Sequence, residues 1–371
     1  MSISADTLDS LCNVEYGTRV VQRRDGGSIY PVYGGGGPTF EIDFHNRDSC
    51  VVVARFGMSP QCTRFVAGKF FLNDSGLTVS PKNGTLDRRF LDHQILSLND
   101  AIYALGKGSA QKNLDVPAFR SIPLFVPALP EQQRIVAILD EAFAAIATAR
   151  SNAEKNFESA RELFESELNA IFERGGDEWH ATTLGTVYDV RDGTHDSPKY
   201  YSSGYPLITS KNLKRDGLTL NDVKLISKHD YDKINKRSAV HKGDVLYAMI
   251  GTIGNPTIVD VVPSFAIKNV ALFKVPKAHD SRFLRYALSS SRALEKMMTD
   301  SKGTTQKFVS LGYLRDFPIR VPSGAQERSI ANTLDELALH TTRLETLYAS
   351  KLTKLNELRA SILHKAFNGE I

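Results

Sequence analysis

Two stretches of the chain, VPALPEQQRIVAILDE at 126–141 and VPSGAQERSIANTLDE at 321–336, decide the fold. They align without gaps at a distance of 195 residues, and both end in the triplet Leu-Asp-Glu. Similarity at a fixed distance is the sequence signature of a duplicated structural unit. The chain of 371 residues is therefore predicted to contain one unit twice.

The repeat extends upstream of these stretches. KGSAQK at 107–112 falls on KGTTQK at 302–307 at the same distance. ADTLDSLCNVEYGTR at 5–19 matches ATTLGTVYDVRDGTH at 181–195, but here the distance is 176 residues. The second copy is therefore longer by 19 residues, and the extra length lies between these two motifs.

A long helix is predicted to begin in each of the two stretches. Pro130 suits the first turn of one helix, and Ser323 with Gln326 forms a capping box at the start of the other. Gly175 and Gly369 follow the last apolar residues, as glycine often does where a helix ends. Forty residues of helix would span about 60 Å, far more than one globular core requires.

Apolar residues at spacings of three and four give each predicted helix one apolar seam. The matching seams favour an intramolecular antiparallel pair, and the alternative is two separate amphipathic helices that each pack on their own domain. The predicted seam residues are Leu139, Ala142, Ile146, Ala149, Ala153, Ala160 and Leu163 in the first helix, and Leu334, Leu337, Leu344, Tyr348, Leu355, Leu358 and Ile362 in the second.

The segments outside the helices are predicted to be rich in β-strands. Runs of β-branched and aromatic residues, such as CVVVARF at 50–56, GDVLYAMI at 243–250 and NVALFKV at 269–275, are separated by Gly, Pro, Asn and Asp. One helix is expected near 281–299. The tract YGGGGP at 33–38 lacks the Lys-Ser/Thr of a nucleotide-binding loop and is interpreted as a flexible turn.

The predicted fold class is α+β. It comprises two β-rich globular domains related by pseudo-twofold symmetry and separated by two long antiparallel coiled-coil helices. The predicted boundaries are 1–127 for the first domain, 128–176 for the first helix, 177–322 for the second domain and 323–371 for the second helix.

Composition and charge exclude several classes of protein. No apolar run approaches the roughly 20 residues that cross a bilayer, and a hydrophobic content of 42% excludes intrinsic disorder. The cysteines Cys12, Cys50 and Cys62 have no zinc-binding or CxxC spacing, so a reducing, cytoplasmic compartment is expected. The net charge is +4, but the helical stretches 131–174 and 326–371 carry −4 and zero, so the remaining segments carry +8, as expected if the globular segments contact phosphate.

The sequence shows no motif of a catalytic or nucleotide-binding site. GxxxxGK[ST], HExxH, GxSxG and paired Rossmann glycines do not occur. Asn255-Pro256 lacks the second proline and the aromatic residue of an adenine-methyltransferase loop and is interpreted as a turn. His195 is a candidate general base, but no nucleophile accompanies it, and Asp192 and Asp196 are better explained as loop residues. No catalytic residue and no metal ligand is predicted.

Several polar loops carry the groups that DNA recognition uses. In KGSAQK and KGTTQK, glycine permits close approach, two lysines can pair with phosphates, and a glutamine amide can bond to an adenine edge. The alternative is an exposed loop with solvated lysines. Hydroxyls, amides and cations also alternate in DGTHDSPKY at 192–200 and ITSKNLKRDG at 208–217. The candidate DNA-binding residues are Arg19, Arg23, Arg24, Arg55, Arg64, Lys69, Lys107, Gln111, Lys112, Thr194, His195, Ser197, Lys199, Tyr200, Ser210, Lys211, Asn212, Lys214, Lys302, Thr304, Thr305, Gln306 and Lys307.

The order of motifs resembles the specificity subunit of type I restriction-modification systems. In the second copy, DGTHDSPKY, PLITSKNL, GDVLYAMIGTIGNP, GTTQKF and LRDFPIRVP follow one another before the helix. The first copy keeps VVVARFG, GSAQKNL and VPALPEQQRIVAILDE. The resemblance covers essentially the whole chain.

The resemblance implies that each globular domain is a target-recognition domain for one half of a split, asymmetric DNA site, and that the helices set the distance between half-sites. Two modification subunits, which methylate adenine N6, and two motor-nuclease subunits are the implied partners. S-adenosylmethionine, ATP and Mg²⁺ would be bound by those partners, with no cofactor on this chain. The implied compartment is the cytoplasm of a prokaryote.

Three alternatives remain open on the sequence alone. A stand-alone DNA methyltransferase or nuclease would be active as a purified chain. The specificity subunit of a related type IIB or IIG-like system would share the same chemistry of recognition. A helical scaffold whose ends bind proteins would show salt-independent binding and no affinity for DNA.

Overall fold

The protein is described by a computed structural model that covers residues 6–214, 217–303 and 307–371. It packs as two compact units, Met1–Glu154 with Ala349–Ile371, and Lys155–Tyr348. Each unit contains one β-rich domain, the first half of one long helix and the second half of the other. The predicted α+β class, with two β-rich domains and two long helices, is confirmed.

The first domain precedes the first long helix, α6. Its secondary structure consists of α1 (Leu8–Leu11), β1 (Cys12–Tyr16), α2 (Gln22–Asp25), β2 (Tyr30–Gly34), β3 (Gly37–Ile42), β4 (Arg47–Ala54), β5 (Thr63–Leu72), β6 (Gly76–Pro81), α3 (Arg88–Ser97), α4 (Asn99–Ala104), β7 (Gly106–Lys107), β8 (Asn113–Leu114) and α5 (Val116–Arg120), followed by α6 (Leu129–Arg174).

A six-stranded sheet in the order β1-β6-β4-β5-β2-β3 forms the centre of the first domain. Its strands pair antiparallel except for β2 and β5, which are parallel. Both faces of β4 are covered, because Val51 and Val53 enter the core that includes α3, whereas Cys50 and Val52 pack with Phe70 on the other face. The predicted turn in YGGGGP joins β2 and β3 as a tight hairpin.

The second domain lies between the two long helices in sequence. Its secondary structure consists of β9 (His180–Thr183), α7 (Leu184–Val187), β10 (Asp189–Asp192), β11 (Tyr205–Ile208), a 3-10 helix (Ser210–Asn212), β12 (Leu213–Lys214), β13 (Gly217–Leu218), β14 (Lys224–Ile226), α8 (Lys228–Ser238), β15 (Val245–Ala248), β16 (Gly254–Ile258), β17 (Ala266–Ile267), β18 (Val270–Lys274), α9 (Ser281–Ser289), α10 (Ser291–Asp300), α11 (Leu311–Asp316) and β19 (Pro318–Val321), followed by α12 (Gly324–Phe367).

The main sheet of the second domain has the order β10-β18-β15-β16, and a smaller sheet has the order β14-β11-β17. The segment near 281–299 is helical as predicted, but it forms two helices, α9 and α10, instead of one. The break lies at Ser290, whose backbone is extended (φ −62°, ψ 143°) and whose hydroxyl accepts from the N–H of Ala293. A serine that caps a new helix cannot continue the old one.

The predicted ends of the long helices are confirmed. At the start of α12, Ser323 and Gln326 exchange side-chain and backbone hydrogen bonds at 3.4 Å. Gly175 and Gly369 follow the helices with φ of 59° and 75°, a left-handed conformation in which a side chain would be strained. The N–H of Gly175 bonds to Ile171 O, which ends the helical ladder.

The long helices pair antiparallel in the first unit. Arg134 donates to the carbonyl oxygen of Ile371 at 2.7 Å, and Arg150 donates to the side chain of Asn356 at 3.3 Å. Residue numbers therefore increase along α6 while those of the contacted residues, Ile371 and then Asn356, decrease. The alternative of two helices that each pack only on their own domain is wrong, because Leu363 of α12 lies in the core of the first domain.

The predicted apolar seam is correct in part. Ala153 and Ala160 are 1% and 4% exposed, as predicted. Leu163 and its repeat equivalent Leu358 are 52% and 48% exposed, so their assignment to the seam is wrong, and Leu344 is also exposed. After Ala160, Leu168 is buried and Phe164, Ile171 and Phe172 are partly buried. These four residues pack with Tyr286, Ile330 and Leu334.

Gln132 joins α6 to the first domain. Its side chain is completely buried, and its Oε1 accepts from the backbone N–H of Asp87 at 2.7 Å. Its Nε2 donates to the carbonyl oxygens of Thr85 and Pro127 at 2.9 and 2.8 Å. Because Asp87 caps α3, Gln132 fixes the start of that helix against the start of α6.

Glu327, the repeat equivalent of Gln132, joins α12 to the second domain in the same way. Its side chain is also completely buried. Its carboxyl oxygens bond to the backbone N–H of Asp280 and to Nδ1 of His279, both at 2.7 Å. Asp280 caps α9, so the acceptor on the long helix again holds the first residue of a domain helix.

The repeated triplet Leu-Asp-Glu forms the next contact of each joint. Leu139 and Leu334 are completely buried, whereas the aspartates that follow are half-buried and bond to the domain helix. The partners are Arg89 (2.6 Å) and His93 (3.3 Å) of α3 for Asp140, and Arg282 (2.7 Å) and Tyr286 (2.6 Å) of α9 for Asp335.

Each joint is completed by the end of the other long helix. In the first unit, Phe367 of α12 packs on Phe90 with ring centroids 5.2 Å apart. In the second unit, Phe172 of α6 packs on Phe283 at 5.3 Å. Phe172 and Phe367 are equivalent in the repeat, so the duplication in sequence corresponds to a duplicated packing arrangement.

The cysteines Cys12, Cys50 and Cys62 are free and buried. Burial raises the pKa of each thiol to about 11, which keeps the thiols protonated and unreactive. Among the described residues, no helix is both long and apolar enough to span a membrane.

Candidate nucleic-acid interface

A Gly-Thr pair follows β1 of the first domain and β10 of the second, and in both domains it is held against the sheet. In the first domain, Gly17 donates to Gly76 O and Thr18 donates to Leu72 O, at 3.1 and 3.0 Å. A Cβ on Gly17 would lie 1.9 Å from the carbonyl oxygen of Asn73, so only glycine fits. The next residue, Arg19, is exposed.

The second domain repeats this contact with different side chains. Gly193 and Thr194 donate to Val270 O and Ile267 O, both at 3.0 Å. A Cβ on Gly193 would lie 2.2 Å from Ile267 O. The residue that follows is His195 instead of arginine, so one backbone arrangement presents two different polar groups.

His195 lies in a polar cluster that lines a cleft of about 480 Å³. Its Nε2 lies 2.8 Å from a carboxyl oxygen of Asp192, and its Nδ1 lies 2.8 Å from Oδ1 of Asn269. The other carboxyl oxygen of Asp192 pairs with Arg237 at 2.9 Å, and Arg237 also donates to Gly193 O. The imidazole is therefore held in a fixed orientation while its side chain stays 57% exposed.

The KGSAQK loop of the first domain is fastened to the end of β4. The N–H of Leu114 donates to Arg55 O at 2.8 Å, and the N–H of Met58 donates to Lys112 O at 2.9 Å. Lys112 lies over the ring of Tyr103 at 4.0 Å. Gln111 is exposed at the tip of this loop.

Lys107 at the start of the same loop is exposed but paired with Asp115 at 2.5 Å. The hydrogen bond from Lys107 lowers the pKa of the Asp115 carboxyl group. Exposed pairs of this kind contribute little stability and exchange readily for another anion.

The KGTTQK loop of the second domain is fastened to the end of β15 in the same manner. The N–H of Val309 donates to Met249 O at 3.0 Å, and the N–H of Gly251 donates to Lys307 O at 2.9 Å. Lys302 and Phe308 exchange backbone hydrogen bonds at 2.9 Å across the base of the loop. Thr304, Thr305 and Gln306, which are predicted DNA contacts, lie outside the described residues.

Arg55 of the first domain lies beside two exposed aromatic rings. Its guanidinium carbon is 4.7 Å from the ring centre of Tyr16 and 4.5 Å from that of Phe56. The Gly-Thr pair follows Tyr16 directly, and the KGSAQK loop is bonded to Arg55 itself. The two repeated loops of the first domain therefore converge on Arg55.

The side chains of Arg64 and Asn212 instead bond to backbone groups of the fold. Arg64 donates to the carbonyl oxygen of Gly35 at 2.7 Å and braces the β2–β3 hairpin. Asn212 is 4% exposed; its Oδ1 accepts from the N–H of Thr209 and its Nδ2 donates to Thr219 O. The predicted DNA contact by Asn212 does not fit this placement, because the amide has no free edge.

The remaining predicted residues are surface groups that the fold does not gather into one cluster. Arg24 is paired with Asp25 at 2.8 Å, and Ser197 accepts from Lys268 at 2.6 Å. Ser210 is half-buried at the start of the 3-10 helix. The exposed members are Arg23, Lys69, Lys199, Tyr200, Lys211, Lys214, Lys302 and Lys307.

Sequence reasoning missed the residues that orient these groups: Tyr16 and Phe56 beside Arg55, and Asn269 and Arg237 around His195. Asn269 has a positive φ of 55°, which is uncommon outside glycine and marks a constrained position. The one available signal was adjacency to a repeated motif, since Tyr16 directly precedes the Gly-Thr pair.

A family model for the type I restriction modification DNA specificity domain matches residues 43–155 and 176–354. These two segments cover well over half of the chain, and one falls on each copy of the repeat.

Two curated relatives from Escherichia coli are similar over most of the chain. The type I restriction enzyme EcoBI specificity subunit is 24% identical over 328 residues, which cover 81% of this chain and 69% of that protein. The EcoKI specificity subunit of strain K12 is 21% identical over 290 residues, which cover 73% of this chain and 62% of that protein. The chain thus spans about two thirds of the length of these relatives.

Two solved structures share the fold. One is a chain from a structural study of complex assembly and conformational transition of the type I R-M system. Its TM-score to this chain is 0.74 at 17% sequence identity, and the match covers 99% of this chain and 97% of that one. The HsdS subunit from Thermoanaerobacter tengcongensis has a TM-score of 0.59 and 17% identity, covering 99% and 96%. With both copies of the repeat matched by the family model, the chain belongs to the family of type I restriction-modification DNA specificity subunits.

Proposed function

We propose that each β-rich domain of this specificity subunit recognises one half of a bipartite, asymmetric DNA site. One observation carries the proposal: the Gly-Thr pair and the KGxxQK loop are fastened to the sheet by the same backbone bonds in both domains, yet they carry different side chains. A shared scaffold with exchanged polar groups is suited to two different short sequences. Lysine and arginine around the loops supply phosphate affinity, and amides and hydroxyls supply groove contacts.

Methylation and cleavage belong, in this proposal, to partner subunits. Two modification subunits bind S-adenosylmethionine and transfer a methyl group to adenine N6, and two motor-nuclease subunits use ATP and Mg²⁺. The chain itself is non-catalytic and binds no cofactor, and the assembly works in the cytoplasm of a prokaryote. Support comes from family membership and from the two loop arrangements, which present recognition groups.

The test uses the complex of this chain with its modification subunits. Sequencing of N6-methyladenine in host DNA, with and without the chain, first defines the target. Gln306→Ala with Lys307→Ala is then expected to reduce discrimination at one half-site, and Gln111→Ala with Lys112→Ala at the other, by roughly 10-fold or more. Subunit assembly is unchanged in both. Normal discrimination at both half-sites would refute the proposal.

The purified chain separates the proposal from a stand-alone enzyme. With S-adenosylmethionine or Mg²⁺ and varied DNA, it is expected to show no methylation and no cleavage. Turnover by the chain alone would instead establish an enzyme.

The long helices are proposed to set the number of base pairs between half-sites. Inserting one helical turn into both α6 and α12 adds about 5.4 Å, whereas one base-pair step is about 3.4 Å. The preferred spacer is expected to lengthen by one or two base pairs, which binding to DNAs of graded spacer length measures. An unchanged preference would exclude the helices as the determinant of spacing.

A further inference from the structure

In the described part of the chain, Arg55 is the one arginine among the predicted DNA-binding cations of the first domain that lies over aromatic rings. Arg24, Arg64 and Lys107 are each bound to a carboxylate or a carbonyl oxygen. Among the residues that the structure describes, none accepts a hydrogen bond from the Arg55 guanidinium, and none forms an ion pair with it. Its five N–H donors are available to a ligand.

The guanidinium is nevertheless held in place. Tyr16 and Phe56 are 43% and 38% exposed, and Arg55 lies within 4.7 Å of both ring centres. Stacking on aromatic rings attracts the cation and limits the rotamers of a long side chain. The backbone is fixed as well, because Arg55 donates to Ser75 O at 2.8 Å and accepts from Leu114. Less side-chain freedom is therefore lost when a ligand binds.

The Arg55 guanidinium presents N–H donors in one plane, and its positive charge is not paired with a carboxylate. Such a group fits a ligand with two hydrogen-bond acceptors in one plane. In the major groove, guanine presents O6 and N7 on one edge, and bidentate contact from arginine is the commonest specific contact there. A phosphate would accept the same fork, but phosphate contacts are made by many surface cations and require no aromatic support. The stacking therefore favours a base edge over the backbone.

The second domain has no such group at the equivalent place. Its KGTTQK loop bonds to Met249, which is 3% exposed, where the first domain presents Arg55. Any contribution of Arg55 is accordingly confined to one half-site.

We propose that Arg55, positioned by Tyr16 and Phe56, reads a guanine in the half-site recognised by the first domain. The inference rests on the proposed function, since it assigns a base to one of the two loop arrangements. Tyr16 and Phe56 act through Arg55 as positioning residues.

The experiment uses the complex with the modification subunits and a panel of DNAs in which each base pair of the methylation-defined target is replaced in turn. The wild-type complex is expected to lose roughly 10- to 100-fold in affinity when one G·C pair of the first half-site is replaced. Arg55→Gln and Arg55→Lys are expected to bind that replaced DNA as well as the intact target. Discrimination in the second half-site stays as in the wild type.

A modified base tests the acceptor directly. 7-Deazaguanine at the same position removes N7, so the wild-type complex is expected to bind it several-fold more weakly, and Arg55→Gln is expected to show no difference. Tyr16→Leu and Phe56→Leu are expected to reduce discrimination at the same base pair only. Lys69→Gln, which changes another exposed cation of the first domain, is the control and is expected to lower affinity equally for every DNA in the panel.

Three results would overturn the inference. They are a first half-site in which no G·C pair matters, an Arg55→Gln complex that discriminates as the wild type does, and a uniform loss of affinity across the panel. The last result would show a phosphate contact. Failure of the proposed function looks different, because the wild-type complex would then discriminate at neither half-site.

Discussion

The two joints between a long helix and its domain share their geometry and differ in their chemistry. Gln132 and Glu327 occupy equivalent, completely buried positions, and each accepts from the backbone N–H of the aspartate that caps a domain helix. In the first joint an amide also donates to two carbonyl oxygens, whereas in the second a carboxyl group bonds to His279. Both copies therefore keep a buried acceptor for one backbone N–H, whereas the other hydrogen-bond partners of that acceptor differ between the copies.

The largest effect is expected when a carboxyl group, as in the second joint, replaces the amide of the first joint. Gln132→Glu replaces a nitrogen that donates to Thr85 O and Pro127 O with an oxygen that faces both carbonyls. A buried polar or charged group without a partner costs about 3–5 kcal/mol. Hydrogen exchange of the amides in α3 is expected to report a loss of that size in the free energy of opening.

The reciprocal change, Glu327→Gln, is expected to cost about 1 kcal/mol or less, because an acceptor for the N–H of Asp280 remains. Fluorescence of Trp179, the single tryptophan, follows unfolding of this joint, since its ring packs on Phe283 at 5.7 Å. Glu336→Ala on the exposed face of α12 is the control. Equal losses for the two exchanges would show that the difference in chemistry is irrelevant to stability.

A smaller effect is expected from the aspartates of the repeated triplet. Asp335→Ala removes hydrogen bonds to Arg282 and to the buried hydroxyl of Tyr286, and is expected to cost about 1–2 kcal/mol. Asp140→Ala removes bonds to partners that include the exposed Arg89 and is expected to cost about half as much. Denaturant midpoints of the two variants check the order, and a larger loss for Asp140→Ala would reverse the comparison.

The smallest effect is a pH dependence that arises from His93 in the first joint. Burial lowers the pKa of His93, while Asp140 opposes and Arg89 and Arg359 add to this shift. The unfolded chain therefore binds a proton more readily, and stability is complete above the ordinary histidine pKa of about 6.5 and declines as pH falls below it. Tyr286, its counterpart in the second joint, has a pKa raised by burial and does not titrate in this range.

Comparing wild type with His93→Gln at pH 7.5 and 5.5 measures this contribution. The denaturant midpoint of the wild type is expected to fall more between the two pH values than that of the variant. Equal falls would show that the burial of His93 carries no cost on protonation.

The sequence predicted the duplication, the helix ends and the antiparallel pair, because these depend on local chemistry and on spacing. The sequence-based prediction failed where either of two adjacent residues could occupy one position of the apolar seam. After Ala160, a spacing of three selects Leu163 and a spacing of four selects Phe164, and only the shape of the partner surface decides for Phe164. The burial of Glu327 was equally out of reach, since a glutamate on a helix is normally exposed and its partner His279 lies 48 positions away.

The candidate interface was predictable as loops but not as an arrangement. Repetition located the Gly-Thr pair and the KGxxQK loops. Whether a polar side chain turns outward, as Gln111 does, or inward, as Asn212 does, depends on carbonyl groups that only the fold brings near. The packing of Tyr16 and Phe56 against Arg55 likewise depends on where β1 and β4 end.

The packing of Leu363, Ala366 and Phe367 into the core of the first domain imposes an order on biosynthesis. More than 200 residues separate Leu139 from Leu363. At about 5–20 residues per second, a ribosome needs on the order of 10 s or more to cover that distance. The domain that is translated first is therefore the last to be finished, and a message that stops between residues 348 and 363 yields a second unit with all its residues and a first domain without its last core residues.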